Sequence, residues 1–237
     1  MKGLELTWLG HGAFLFTTPG GVRGLIDPFL TDNPSCPERY KGDLGPLDLI
    51  LVTHGHNDHT SDLVRVARAS GATVVGSWEL AQWLGWQGIE ATEPMNIGGT
   101  IDVRGLRITM TQAFHSGGFV TPDRQIIYLG PPAGFMIRVE DGFTLYHAGD
   151  TCVFSDMRLL AELYAPDAAI LPIGDRFTMG PEQAAKAVEL LGVRRVVPTH
   201  FGTFPLLTGT VDAFVALLPG DVHVDRLAPG GGVMLNA

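Results

Sequence analysis

The chain has 237 residues, 45% of them hydrophobic and only 17% charged, a balance that supports a large buried core and excludes a disordered protein. Against 25 aspartates and glutamates stand 16 lysines and arginines, so the net charge is −9; with no basic stripe, nucleic acid is a poor partner and a small-molecule substrate is expected. Apolar runs such as LDLILV and VALL break well short of the ~18 residues a membrane span requires, and Glu5 and His11 fall where a signal peptide needs an apolar stretch, so neither membrane insertion nor export is expected.

In chain order, LELTWLG, AFLFTT and VRGLID read as strands, with PGG at 19 to 21 turning the second into the third. LDLILVTHG reads as a buried strand, and SDLVRVARASG as an amphipathic helix ended by Gly71. TVVGS is a short strand and WELAQWLGW a helix. In that helix Trp78, Trp83 and Trp86 fall at core spacing or mark an oligomer face. A second β-rich stretch follows Gly98-Gly99: TIDVRG, LRITMTQAFH, AGFMIRVEDG and FTLYHAGD, with EDG as the second hairpin turn. The pattern then changes to αβ units, with SDMRLLAELY and PEQAAKAVELLG helical and DAAILPIG and RRVVPTH as strands. Pro181 opens the second of these helices and Gly192 lies beyond its end.

The chain reads as one cytoplasmic domain over residues 1–237, with Cys36 and Cys152 as reduced thiols. Its halves echo each other: GLELT leads to a histidine and a hairpin ending in LID, and GLRIT leads to a histidine and a hairpin ending in HAGD. This suggests two αβ halves with their sheets face to face. The segments 31–46 and 116–134, rich in Pro, Gly and polar residues, are candidate functional loops.

One stretch stands apart. THGHNDHTSD, residues 53–62, holds three histidines and two aspartates at the end of a buried strand, where α/β proteins place ligand sites. Alternation puts His54 and His56 on one side of an extended backbone, while Asp58 and His59 address the same point from beyond the bend. Imidazole with carboxylate and no cysteine points to a catalytic rather than a closed structural metal site. Three histidines and an aspartate exceed the needs of one open site. His115, Asp150 and His200 each end another β-rich run and complete a candidate two-metal set.

The pattern HGHNDH followed by His, Asp and His resembles the metallo-β-lactamase superfamily, whose signature is His-x-His-x-Asp-His. Segments LGHGAFLF, LIDPFLTDNP, TQAFHSGG, HAGDTCVFSDM and LPIGDRFTMGPEQAA resemble its branch of uncharacterised metal-dependent hydrolases, itself similar to ascorbate-6-phosphate lactonases. The resemblance implies a four-layer αββα sandwich. It also implies that His54, His56 and His115 hold one divalent ion, that Asp58, His59 and His200 hold a second, and that Asp150 bridges them. Asp58, His59 and Asp150 carry the catalytic expectation as well. Zinc is the first expectation, with manganese and iron compatible.

Such a pair acidifies water and polarises a scissile carbonyl or phosphoryl oxygen. The expected activity is hydrolysis of a small ester-like bond. The competing readings are a phosphodiesterase on the same two metals and a non-catalytic metal-binding module that kept the fold. Asp27 is expected to hold a ligand histidine from behind, and His11 either supports the site or is a satisfied buried histidine. Arg176 is a candidate anchor for an anionic substrate. His147 is not expected to be a ligand, and His223 reads as surface. Family analogy suggests a homo-oligomer.

Overall fold

The computed structural model describes residues 3–236. Its first half contains β1 (Leu4–Gly10), β2 (Ala13–Thr17), β3 (Arg23–Ile26), β4 (Leu49–Leu51), α1 (Asn57–Thr60), α2 (Leu63–Ser70), β5 (Thr73–Ser77), α3 (Trp78–Trp86) and β6 (Thr92–Met95). The second contains β7 (Thr100–Val103), β8 (Leu106–Gln112), β9 (Phe119–Val120), β10 (Ile126–Ile127), β11 (Ala133–Arg138), β12 (Thr144–His147), α4 (Met157–Tyr164), β13 (Ala168–Pro172), α5 (Pro181–Leu191), β14 (Arg195–Thr199), α6 (Val211–Val215) and β15 (His223–Val224). A last strand, β16 (Gly232–Leu235), returns to the first half and pairs with β1.

The strands form two seven-stranded sheets, in the orders β16-β1-β2-β3-β4-β5-β6 and β7-β8-β11-β12-β13-β14-β15, with β9 and β10 as a separate ribbon. The pseudo-symmetry suggested by the sequence is present in the pairing. In each sheet the first three junctions are antiparallel and the last three parallel, so β1, β2 and β3 correspond to β8, β11 and β12.

Alternation along the strands builds the layers. Phe135, Ile137, Leu145 and Ile170 face the first sheet's Leu6, Phe14, Phe16 and Leu51 in a core between the sheets. Their neighbours Met136, Tyr146, Ala169 and Leu171 point the other way, against Met157 of α4, Val188 and Leu191 of α5, and Phe214 of α6. On the far side of the first sheet, Leu25, Ile50, Val52 and Val74 pack on Leu63 and Val66 of α2 and Leu80, Trp83 and Leu84 of α3. Three apolar layers between four structural ones make the αββα sandwich.

Local chemistry sets the element ends. Gly71 and Gly192, at φ 65° and 64°, end α2 and α5 in the left-handed conformation that the sequence assigns them. The side chain of Ser77 accepts from the Leu80 amide and caps α3, whose Trp83 is buried while Trp78 and Trp86 are exposed. The sequence reading omits several pieces. The single turn α1 lies inside the histidine-rich loop, β9 and β10 fold part of 116–134 into a hairpin, and β6, α6, β15 and β16 are too short to carry a period of their own.

The topology also gathers the chemistry. β1, β3, β4, β8, β12, β13 and β14 all run so that their carboxyl ends meet along one rim of the sandwich. His11, Asp27, His54, His115, Asp150 and His200 all follow those ends. Phe135 is fully buried between the sheets, opposite Met110 on one side and His147 on the other. Phe135→Ala should cost about 3–5 kcal/mol of unfolding free energy, read as a lower denaturant midpoint with an unchanged slope.

Candidate metal centre

The site assembles around one carboxylate. Asp150 is 4% exposed, and its Oδ2 lies 3.0 Å from His200 Nε2, 3.3 Å from His59 Nε2, 3.6 Å from His115 Nε2 and 4.0 Å from His54 Nε2. On one side His54, His56 and His115 bring their donor nitrogens within 4.8 Å of one another; on the other, His11, Asp58, His59 and His200 do the same. The two groups correspond to the two ligand sets expected from the sequence, with His11 added to the second.

The donor chemistry suits divalent cations. His59 Nε2 is buried, faces Asp150 and has no hydrogen-bond partner. Burial pulls His54 well below the ordinary imidazole value, with His59 adding to the effect, and burial lowers His56 and His115 as well. These rings are therefore neutral and offer lone pairs at neutral pH. Burial would raise Asp150 and Asp58, but His200 and His59 hold Asp150 well below the usual carboxylate range. The hydrogen bond from His11 and the charge of His59 hold Asp58 down. His59 moves up: burial opposes its charge, yet Asp150 and Asp27, at its two nitrogens, outweigh that penalty. The pair of carboxylates thus fixes a positive charge at this point, as a proton on His59 or as a bound cation.

Behind the donors runs a chain of hydrogen bonds that sets their tautomers. Asp27, fully buried, accepts from His59 Nδ1 at 2.8 Å, from the Thr53 amide at 2.8 Å and from Thr53 Oγ1 at 2.7 Å. The single Thr53 hydroxyl proton is spent on that carboxylate, so its oxygen accepts from His54 Nδ1 at 3.0 Å. In the neutral rings this leaves Nε2 of His54 and His59 without a proton, that of His54 lying 3.0 Å from His56 Nδ1. Asp27 has the supporting position that the sequence suggested, whereas Thr53 was missed. Its one signal was adjacency to His54.

His11 is fully buried, and its Nε2 lies 3.0 Å from Asp58 Oδ2. Burial and the neighbouring His200 bring its pKa down to about 4, so the neutral ring donates to Asp58. His11, Asp27 and His200 sit at φ 55°, 49° and 55°, left-handed conformations that non-glycine residues adopt at a cost and that cluster at functional sites. Two glycines make the close packing feasible. A Cβ on Gly12 would sit 2.7 Å from His59 Cε1, and one on Gly149, at φ 65°, would sit 2.3 Å from the Ala133 carbonyl oxygen.

His56, Asp58, His115, Asp150 and His200 open onto a cavity of 430 Å³ whose remaining lining is Asn57, Ser116, Gly118, Val120 and Phe177. Arg176 is not part of that lining. It is exposed, with its guanidinium carbon 5.5 Å from the Phe177 ring centroid. His147 is buried, accepts from the Gly149 amide and is brought down to about 4 by burial; His223 is on the surface, 3.2 Å from Asp225.

The chain belongs to the β-lactamase superfamily, whose domain matches residues 23–201. It is 56% identical to a UPF0173 metal-dependent hydrolase of Rubrobacter xylanophilus, over 90% of this chain and 88% of that one. Identity to a UPF0173 metal-dependent hydrolase of Herpetosiphon aurantiacus is 44%, covering 93% and 98% of the two chains. The solved structure of Igni18, a metallo hydrolase from the archaeon Ignicoccus hospitalis, superposes with a TM-score of 0.86 at 34% identity over 100% of both chains. The protein is a metal-dependent hydrolase of this superfamily.

Asp27→Asn keeps a side chain that tolerates the left-handed backbone but loses the carboxylate that holds both His59 and Thr53. Metal affinity should fall about 10–100-fold, measured by competition against a chromophoric chelator, with the far-ultraviolet circular dichroism unchanged.

Proposed function

We propose that the chain binds two divalent metal ions, zinc before manganese or iron, and hydrolyses a small ester-like substrate: a carboxylic ester, lactone, thioester or amide. The observation that carries this reading is the placement of Asp150 Oδ2 within 4.0 Å of four imidazole Nε2 atoms, between two donor groups. His54, His56 and His115 would hold one ion, and Asp58, His59 and His200 the other, with Asp150 between them. What such ions supply is Lewis-acid polarisation and acidified water.

The residues of the chain define the rest. Both Asp58 and Asp150 line the cavity, but the Asp58 side chain is the more open, 36% exposed against 5%, so it is the acid group that a substrate or an attacking water meets first. His11 fixes the orientation of that carboxylate through one of its oxygens. In the reaction the water oxygen bonds to the carbonyl carbon and the bond to the leaving group breaks. One water proton goes to the leaving group and the other to solvent. Among the described residues, no lysine or arginine lines the cavity to pair with an anionic phosphodiester, which favours an uncharged carboxylic ester.

Among the described residues no helix is long and apolar enough to cross a membrane. The two free thiols, with Cys152 exposed, support a reducing compartment such as the cytoplasm.

Two measurements test the proposal. Protein purified without a histidine tag or chelator should carry close to two metal equivalents per chain by mass spectrometry, falling on Asp150→Ala. At most one equivalent after zinc loading would overturn the two-metal reading. A nitrophenyl carboxylate ester should be hydrolysed faster than bis-nitrophenyl phosphate, and His56→Ala should reduce the ester rate by about two or more orders of magnitude. The reverse preference would favour a phosphodiesterase.

A further inference from the structure

The mouth of the cavity has a chemistry of its own. Its two apolar lining residues, Val120 and Phe177, are 46% and 53% exposed, and each is held there by specific bonds. Asn57, between the donors His56 and Asp58, clamps Val120 from both sides: its Nδ2 donates to the Val120 carbonyl at 2.9 Å, and its Oδ1 accepts from the Val120 amide at 2.8 Å. The neighbouring Phe119 packs on Trp83 at 5.4 Å between ring centroids, which turns the alternate residue, Val120, outward.

Phe177 stands on a loop with two consecutive non-glycine residues in the left-handed region, Asp175 at φ 66° and Arg176 at φ 59°. The loop is tied down by the Phe177 amide to the Asp175 carbonyl, the Asp175 amide to Met179 and the Met179 amide to Thr151, next to Asp150. A large apolar ring displayed on a strained, pinned backbone is built to meet something. Phe204, 38% exposed, makes a T-shaped contact with the His11 ring at 5.4 Å but is not part of the lining.

We propose that Val120 and Phe177 form an acyl-group subsite, and that the substrate is an uncharged ester or lactone with an apolar acyl chain, short enough for a cavity of 430 Å³. The proposal rests on the ester-hydrolase reading of the same cavity and narrows it. It replaces the anion anchor at Arg176 with an apolar wall: the guanidinium lies against the Phe177 ring, and no cation lines the cavity among the described residues.

The test uses the zinc-loaded full chain with probes that bind without turnover. Hexanohydroxamate should bind about tenfold or more tightly than acetohydroxamate, as partial burial of each added methylene implies, and more tightly than the hydroxamate of succinate. Phe177→Ser and Val120→Ser should each pull the hexanoyl-to-acetyl ratio toward one, while Phe177→Leu should retain most of it. Melting temperatures should stay close to the parent because both side chains are largely exposed. Equal affinities for the two chain lengths, tighter succinyl binding, or no hydroxamate binding would overturn the proposal.

Nitrophenyl acetate, butyrate and hexanoate separate the two readings. Acetate turnover with no rise along the series sinks the acyl subsite alone. A hydroxamate preference without turnover of any ester sinks the ester reading and leaves the apolar subsite standing.

Discussion

Two buried carboxylates, Asp150 and Asp27, govern the rest of the structure. A carboxylate removed from water is tolerated only with charge or hydrogen bonds to replace its hydration. Asp150 meets this requirement with imidazoles and Asp27 with His59 and Thr53. His59 stands between them, and the positive charge that both demand cannot be supplied by one neutral ring. The deepest part of the rim is thus poised for a cation, and its histidines are arranged around that need rather than around apolar packing.

The sandwich makes such a concentration affordable because polar residues are confined to its rim. Between the sheets and under the helices, strand alternation sorts side chains into three apolar layers, and no donor of the metal centre interrupts them. The donors appear beyond the strand ends, with Asp58 and His59 on the single turn α1 that follows β4. Parallel junctions in both halves bring those ends to the same side. The backbone there is tightly turned, with His11, Asp27 and His200 in left-handed conformations. The packed layers beneath hold these residues in place.

Much of this was legible in the sequence, for a reason that can be named. His54, His115, Asp150 and His200 each follow an apolar run, so reading strands already placed them at comparable positions. The repeated hairpins, LID and HAGD, exposed the duplication. Less legible were features that exist only through pairing. β16 is a strand because β1 offers it an edge, and β9 and β10 are two residues each. The role of Thr53 depends on a hydroxyl orientation that composition does not encode. Arg176 drew attention by its charge, whereas its neighbour Phe177, an unremarked aromatic in a loop, is the residue that reaches the cavity.

The last strand carries a temporal consequence. In the second sheet, β7 pairs with β8 and immediately precedes it in the chain; in the first, the corresponding place beside β1 is filled by β16, from the opposite end of the sequence. From the synthesis of β1 until that of residues 232–235, β1 therefore presents an open edge, which only those residues close. An unpaired edge is where nascent chains find wrong partners. The first sheet is complete only once a strand from beyond the whole second sheet has been made.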